Sequence, residues 1–151
     1  MTTVTTARLY CDTTVLLIAA GATADPATIS ACRSLVQACA KRSVAGEIST
    51  EVLQELLHTA AWQQTRQHSL ELVELATRIF AHPLPVSRTT VLDAVGLLRE
   101  YPQLNTRVAL HAAVMRAAGL GEVVSTDSEF GLISGIRRSS PEDAVRTFRL
   151  S

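Results

Sequence analysis

Asp12, Glu55 and Asp127 are the residues of this chain best placed to do chemistry. Asp12 closes the strand-like run Leu9-Tyr10-Cys11, and Asp127 follows a later such run, Glu122-Val123-Val124-Ser125, the fourth expected along the chain. Both acids therefore stand at carboxyl ends of strands, the edge of an open parallel α/β sheet that carries the functional crevice. They are expected to meet there although they lie 115 residues apart. Glu55 sits on the helix after the second strand and projects from the same side. Three carboxylates in a small site repel one another unless a cation neutralises them, and hard oxygen ligands select Mg²⁺ or Mn²⁺ over Zn²⁺. Such a site serves phosphate-ester chemistry, where the metal activates water and clamps phosphate oxygens. Taken singly, each acid has a plainer role, as a helix cap for either Asp or a solvated helix residue for Glu55. The combination carries the reading.

The elements that must position these acids follow from periodicity. After Asp12, the apolar run Val15–Ala20 suits a helix stopped by Gly21 and Pro26. From Pro26 to Arg42 the residues Ile29, Cys32, Leu35, Val36, Cys39 and Ala40 recur at three and four, as on an amphipathic helix. Val44–Ser49 reads as a second strand, and Ser49 or Thr50 caps a helix over Glu51–Ala61 whose stripe is Val52, Leu53, Leu56 and Leu57. A long helix is expected from Trp62 to Ala81, then a short apolar segment, Leu84–Val86, between Pro83 and Pro85 that suits a third strand. Ser87 caps Arg88–Glu100, Asn105 or Thr106 caps Arg107–Ala118, and Gly119 ends the latter. Glu122–Ser125 is a strand, and Ala144–Leu150 alternates weakly like an edge strand. Strands separated by helices, without hairpin signals such as Asn-Gly, give an α/β fold with a mainly parallel sheet of four or five short strands.

Composition narrows the function classes. The chain has 151 residues, 47% of them hydrophobic and 19% charged, which suits a single domain over 1–151 with a real core and excludes intrinsic disorder. Lys plus Arg equal Asp plus Glu at 14 each, so a polyanion must be held by a local patch or a metal ion rather than by net charge. Cys11, Cys32 and Cys39 show no CxxC spacing, which argues against a disulfide framework or zinc finger and for a reducing compartment. Cys32 and Cys39 share one helix face as small buried residues. The run from Val15 to Ala20 is far short of the ~18 apolar residues of a membrane span, so a cytoplasmic protein without a membrane partner is expected.

Three stretches, "YCDTTVLLIAAG", "EISTEVLQELLHTA" and "LNTRVALHAAVMRAAGLGEVVSTDSEFGLI", together resemble the PIN domain, and specifically the VapC-type toxin ribonucleases of bacterial toxin-antitoxin pairs. The resemblance spans nearly the whole chain in order and spacing. It implies a three-layer sandwich with helices flanking the sheet, and a metal-dependent endoribonuclease. Asp12, Glu55 and Asp127 then bind Mg²⁺ or Mn²⁺, supported by Thr14 and Ser125. It further implies a cognate antitoxin as partner, RNA as substrate and a homodimer.

One position departs from the family pattern. Where members usually read Arg-Asp-Ala-Leu-His-Ala-Ala, this chain has Arg107-Val108-Ala109-Leu110-His111-Ala112-Ala113. Val108 supplies neither the negative charge that a helix N-terminus favours nor a ligand. Activity is expected to be impaired, whether the Val marks a naturally degenerate member or a substitution selected against a toxic nuclease. The alternative function is a degenerate domain that binds antitoxin or RNA without cutting. A phosphatase of α/β type is disfavoured, since Asp12 begins no DxDx[TV] run and no GxxxxGK[ST] occurs.

Other residues carry weaker expectations. His111 lies one turn after Val108, where it either faces the site or simply packs among neighbours. Arg33, Lys41, Arg42, Arg66, Arg107, Arg137 and Arg138 are candidates for an RNA-binding rim, each more simply a solvated charge. Trp62 and Tyr101 are candidates for stacking bases, though aromatics make up only 4%, too few for a stacking platform. Asp93 and Asp143 read as surface acids.

Overall fold

The computed structural model describes residues 7–63 and 65–151, with the side chains at 59–63 excepted. The base-stacking expectation for Trp62 lies outside the described residues. Among the described residues four strands, β1 (Arg8–Cys11), β2 (Ala45–Glu47), β3 (Glu122–Val124) and β4 (Arg137–Ser139), form one sheet in the order β2-β1-β3-β4. Every pairing is parallel, with Tyr10 opposite Glu47 and Val123, and Val124 opposite Ser139. Parallel neighbours need crossovers, which α1 (Thr13–Ala19) and α2 (Pro26–Ala40) provide between β1 and β2. The helices α3 (Thr50–Gln63), α4 (Arg66–Ile79), α5 (Arg88–Glu100) and α6 (Thr106–Ala117) fill the return to β3. A short 3₁₀ helix (Ser128–Leu132) joins β3 to β4, and α7 (Pro141–Phe148) follows β4.

The chain leaves β1 for β2 on one side and comes back to β3 on the other. The carboxyl ends of β1 and β3 are thus a topological switch point, where a crevice opens because the connections diverge.

Alternation along β1 sorts the two faces of the sheet. Tyr10 points to α6, where its hydroxyl meets His111. Cys11 points the other way, its thiol against Cys39 of α2. Helix α2 lies directly on β2 because residue 46 is glycine: a Cβ there would sit 2.5 Å from Cys39 Sγ and 3.0 Å from Phe80 Cε1. Cys11, Cys32 and Cys39 are all buried with free thiols.

Helix caps match the sequence at most ends. Ser87 and Thr90 form a reciprocal capping box, Asp25 accepts from Thr28 N at 3.0 Å, and Asn105 accepts from Arg107 N at 2.8 Å. Three expectations are corrected. The helix expected from Trp62 begins instead at Arg66, because the Thr65 hydroxyl caps His68 N at 3.2 Å. Leu84–Val86 gives only an isolated parallel bridge from Leu84 to Ser49, since Pro83 and Pro85 have no N–H to extend a ladder. Ala144–Leu150 is not an edge strand but falls largely within α7, for which Ser140 is the cap and Pro141 the first residue. The edge strand beside β3 is β4, whose Arg-Arg-Ser carries no apolar alternation to reveal it.

Candidate functional site

Strand β1 ends where Asp12 begins, and the Asp12 amide still bonds Val124 O at 3.1 Å. The side chain is wholly buried. It caps α1 through Thr13 N at 2.8 Å, and its other oxygen accepts from Thr14 Oγ1 at 3.1 Å and Ser125 Oγ at 2.6 Å. The capping role and the site role therefore coincide. A buried carboxylate is costly unless hydrogen-bonded and charge-compensated. The compensation comes from Arg107, whose terminal nitrogen donates to Asp12 Oδ1.

Glu55 arrives from α3 and meets the same guanidinium, Arg107 Nε donating to Glu55 Oε2 at 2.9 Å. Its other oxygen, Oε1, lies 2.7 Å from His111 Nε2. Burial pushes the Glu55 carboxyl up, but the His111 hydrogen bond and the Arg107 charge outweigh it and hold the carboxyl below its ordinary value. Burial likewise opposes the charge on Arg107, while the Asp12 and Glu55 carboxylates more than restore it.

Behind Glu55 a polar chain runs into the core. His111 Nδ1 lies 2.6 Å from the Tyr10 hydroxyl, which lies 2.7 Å from Ser49 Oγ, and that oxygen accepts from Val52 N at 3.3 Å. In the Nε2–H tautomer every proton has a place: Ser49 donates to Tyr10, Tyr10 to His111 and His111 to Glu55. Burial keeps the Tyr10 phenol protonated far past its ordinary range.

Asp127 stands apart from this pair. It is half-buried, its Oδ1 accepts from Glu129 N at 2.9 Å to cap the 3₁₀ helix, and its amide donates to Ser125 Oγ at 2.9 Å. Ser125 thus links Asp127 to Asp12, and Thr126 N reaches Thr14 Oγ1 at 3.4 Å. So the fold brings Asp12, Glu55, Thr14 and Ser125 together at the switch point, with Asp127 one hydroxyl away. Among the described residues no three His, Cys, Asp or Glu side chains are grouped so as to hold a metal ion.

The donor chemistry nonetheless fits a divalent ion. Two carboxylates are aimed at one cationic group, and the Thr13 hydroxyl is buried beside Glu55 without a hydrogen bond of good geometry. Val108, the third residue of α6, is wholly buried among apolar neighbours.

Arg107, His111, Tyr10 and Ser49 carry more of the site than their places in the sequence suggest. A signal for Arg107 was present: a cation in the first turn of a helix opposes the dipole and needs carboxylates nearby to hold it. The other basic candidates have local roles or none at the site. Arg138 Nε bonds Ser125 O at 2.8 Å, Arg137 pairs with Glu122, Arg33 reaches Ala19 O at 3.4 Å, and Lys41, Arg42 and Arg66 are exposed. The Tyr101 hydroxyl accepts from Ser134 N at 3.2 Å, Asp93 is exposed, and Asp143 pairs with Arg146.

The site opens through a hollow of about 400 Å³ lined by Glu51, Gln54, Glu55, His58, Arg107 and Leu110 among others. Burial, followed by the Glu55 charge, raises the Glu51 carboxyl.

No family model matches the sequence. Among curated proteins, Ribonuclease VapC7 of Mycobacterium tuberculosis is 31% identical over 140 residues, 88% of this chain and 91% of that protein. Ribonuclease VapC13 of the same organism and VapC ribonuclease Mb1869c of Mycobacterium bovis are each 33% identical over 88 residues, 58% of this chain and 67% of theirs. The crystal structure of VapBC2 from Rickettsia felis, bound to a DNA fragment from their promoter, has a chain with TM-score 0.68 and 14% identity. The match covers 88% of this chain and 98% of that one, a likeness of fold. At 31% identity over nearly the full length of a curated relative, the chain belongs to the VapC ribonuclease family.

Proposed function

We propose that this protein is an endoribonuclease toxin of a toxin-antitoxin pair, which adds water across RNA phosphodiester bonds, and that Val108 impairs it. The observation that carries the reading is the convergence of the Asp12 and Glu55 carboxylates on one cationic position at the carboxyl end of β1. Asp12, Glu55 and Asp127 would hold Mg²⁺ or Mn²⁺. When bound, such an ion supplies the positive charge that activates water and holds phosphate oxygens. Thr14 and Ser125 orient the Asp12 carboxylate, His111 orients Glu55, and the hollow beside Arg107 admits the phosphate backbone. A cognate antitoxin covering this hollow is the proposed partner, a homodimer the proposed assembly and the cytoplasm the proposed location. Among the described residues no helix is long and apolar enough to cross a membrane.

The test is cleavage of cellular RNA with Mn²⁺ by the protein, by Val108→Asp and by Asp12→Asn. A carboxylate at position 108 should raise the rate by about a hundredfold or more, the scale of a regained metal contact in the transition state. Equal rates for the first two would show that position 108 is not a ligand position.

A second reading is a domain that binds antitoxin or RNA without cutting. The guanidinium between Asp12 and Glu55 favours it, since the pair is already neutralised in part. Inert protein and inert Val108→Asp, both retaining a Mn²⁺ site, would support it.

A further inference from the structure

We propose that the Arg107 guanidinium is the built-in counter-cation of the acidic pair, and that a divalent ion reaches Asp12 and Glu55 only by displacing it into the neighbouring hollow. The inference rests on the ion site proposed above and adds the residue that competes for it.

Charge arithmetic gives the first reason. Asp12 is wholly buried and the Glu55 side chain is 13% exposed, so the two carboxylates need a cation even when no metal is present. Arg107 divides its fork between them, Nε on Glu55 and a terminal nitrogen on Asp12. A planar guanidinium suits that task, whereas a Lys ammonium is a single point charge. Nothing else in α6 invites a cation there. Arg107 is the second residue of the helix, where the dipole is unfavourable to positive charge, and only its backbone is held by the Asn105 cap.

Position gives the second. Arg107 spans one oxygen of Asp12 and one of Glu55, so an ion shared by these two carboxylates would have to compete with the guanidinium for the space between them. The Arg107 side chain is 29% exposed and borders the open hollow, which gives it somewhere to go. Glu51 lies in the same hollow and offers a carboxylate for the displaced guanidinium. Exchange of one positive charge for two also favours the ion electrostatically, because the pair carries two negative charges against the one positive charge of Arg107. Meanwhile His111 remains on Glu55 from one turn further along α6, so the carboxylate keeps its orientation when Arg107 leaves.

The experiment is Mn²⁺ titration, read by the electron paramagnetic resonance signal of free Mn²⁺, on the protein, Arg107→Gln, Arg107→Lys and the double variant Arg107→Gln with Asp12→Asn. Arg107→Gln should bind Mn²⁺ about tenfold tighter or more, within the usual range for coupled sites, with Arg107→Lys between it and the parent. The double variant should lose that gain. In EDTA the Tm of Arg107→Gln should fall below the parent's and recover on adding Mn²⁺, since ligand binding stabilises the folded state. Equal or weaker Mn²⁺ binding by Arg107→Gln, or a gain that survives Asp12→Asn, would overturn the proposal. Should Arg107→Gln fail to fold, the unmodified protein decides: its Arg107 Nε–H resonance should lose protection from exchange as Mg²⁺ saturates the site, and unchanged protection would overturn it. RNA cleavage is a separate readout. Absence of cleavage by Arg107→Gln combined with Val108→Asp, with Mn²⁺ bound tightly, counts against the nuclease reading and leaves the competition intact.

Discussion

His111 Nε2 lies 2.7 Å from Glu55 Oε1, joining α6 to α3 across 56 residues of sequence, and the imidazole is wholly buried. A histidine in that setting has two obligations, since its other nitrogen faces Tyr10 at 2.6 Å. Replacing it leaves two buried polar groups short of a partner, which makes it a structural and a positioning residue together.

His111→Phe should therefore destabilise the fold by about 2–4 kcal/mol, the cost of orphaning buried groups of which one is charged. His111→Gln should lose less, because its amide keeps one of the two hydrogen bonds. Urea unfolding of the three proteins checks the order, and equal midpoints would remove the chain from any structural role.

The depressed Glu55 carboxyl sets a pH dependence. Its folded-state value lies below the ordinary 4.5, because the His111 bond and the Arg107 charge outweigh burial. A depressed carboxyl contributes stability that is complete above its unfolded value and is lost as pH falls through the folded one. Stability should decline as pH drops below about 4.5, and Glu55→Gln should flatten that part of the curve. Chemical denaturation at a series of acidic pH values measures it; parallel curves would contradict the assignment.

Asp12→Ala removes a carboxylate that satisfies Thr13 N, Thr14, Ser125 and Arg107 at once. The loss should be about 3–5 kcal/mol, as for other broken buried ion pairs, and Mn²⁺ binding should vanish with it. Calorimetric titration showing equal binding before and after would place the ion elsewhere.

Gly46→Ala should cost about 1–3 kcal/mol by overpacking, because the new methyl would press on Cys39 Sγ and Phe80. Truncating the obstacle with Cys39→Ala should recover part of the loss, so the double variant should be more stable than additivity allows. Thermal unfolding of the four proteins of the cycle reads this directly.

The proposed homodimer has apolar surface available to it. Val91, Leu92 and Val95 are exposed on α5, and Leu70 and Leu75 are exposed on α4. Light scattering at tens of micromolar should give twice the chain mass, a range that detects weak oligomers. Leu92→Glu and Leu75→Glu then identify the face, and a monomer throughout would refute the assembly.

Local chemistry in the sequence was enough for much of this architecture. Caps and period sufficed for α5 over Arg88–Glu100 and for Asp12 at the end of β1, since these depend on neighbours a few residues away, and the alternation of strands with helices pointed to parallel pairing. Where two local signals competed, the weaker was misleading: the alternation in Ala144–Leu150 lost to the Ser140 cap and Pro141 at the start of α7. The strand-end places of Asp12 and Asp127 were legible in the sequence, but not the state in which the fold holds Asp12 and Glu55. Arg107 reaches Glu55 across 52 residues and Asp12 across 95, and these contacts exist only because the chain passes from β1 to β2 and returns beside β1 through α6 and β3. Periodicity reports which face of a helix is apolar, yet carries no record of which buried charge a distant strand end will place against it. That is why Arg107 read as a surface cation and proved to be the counter-charge of the acidic pair.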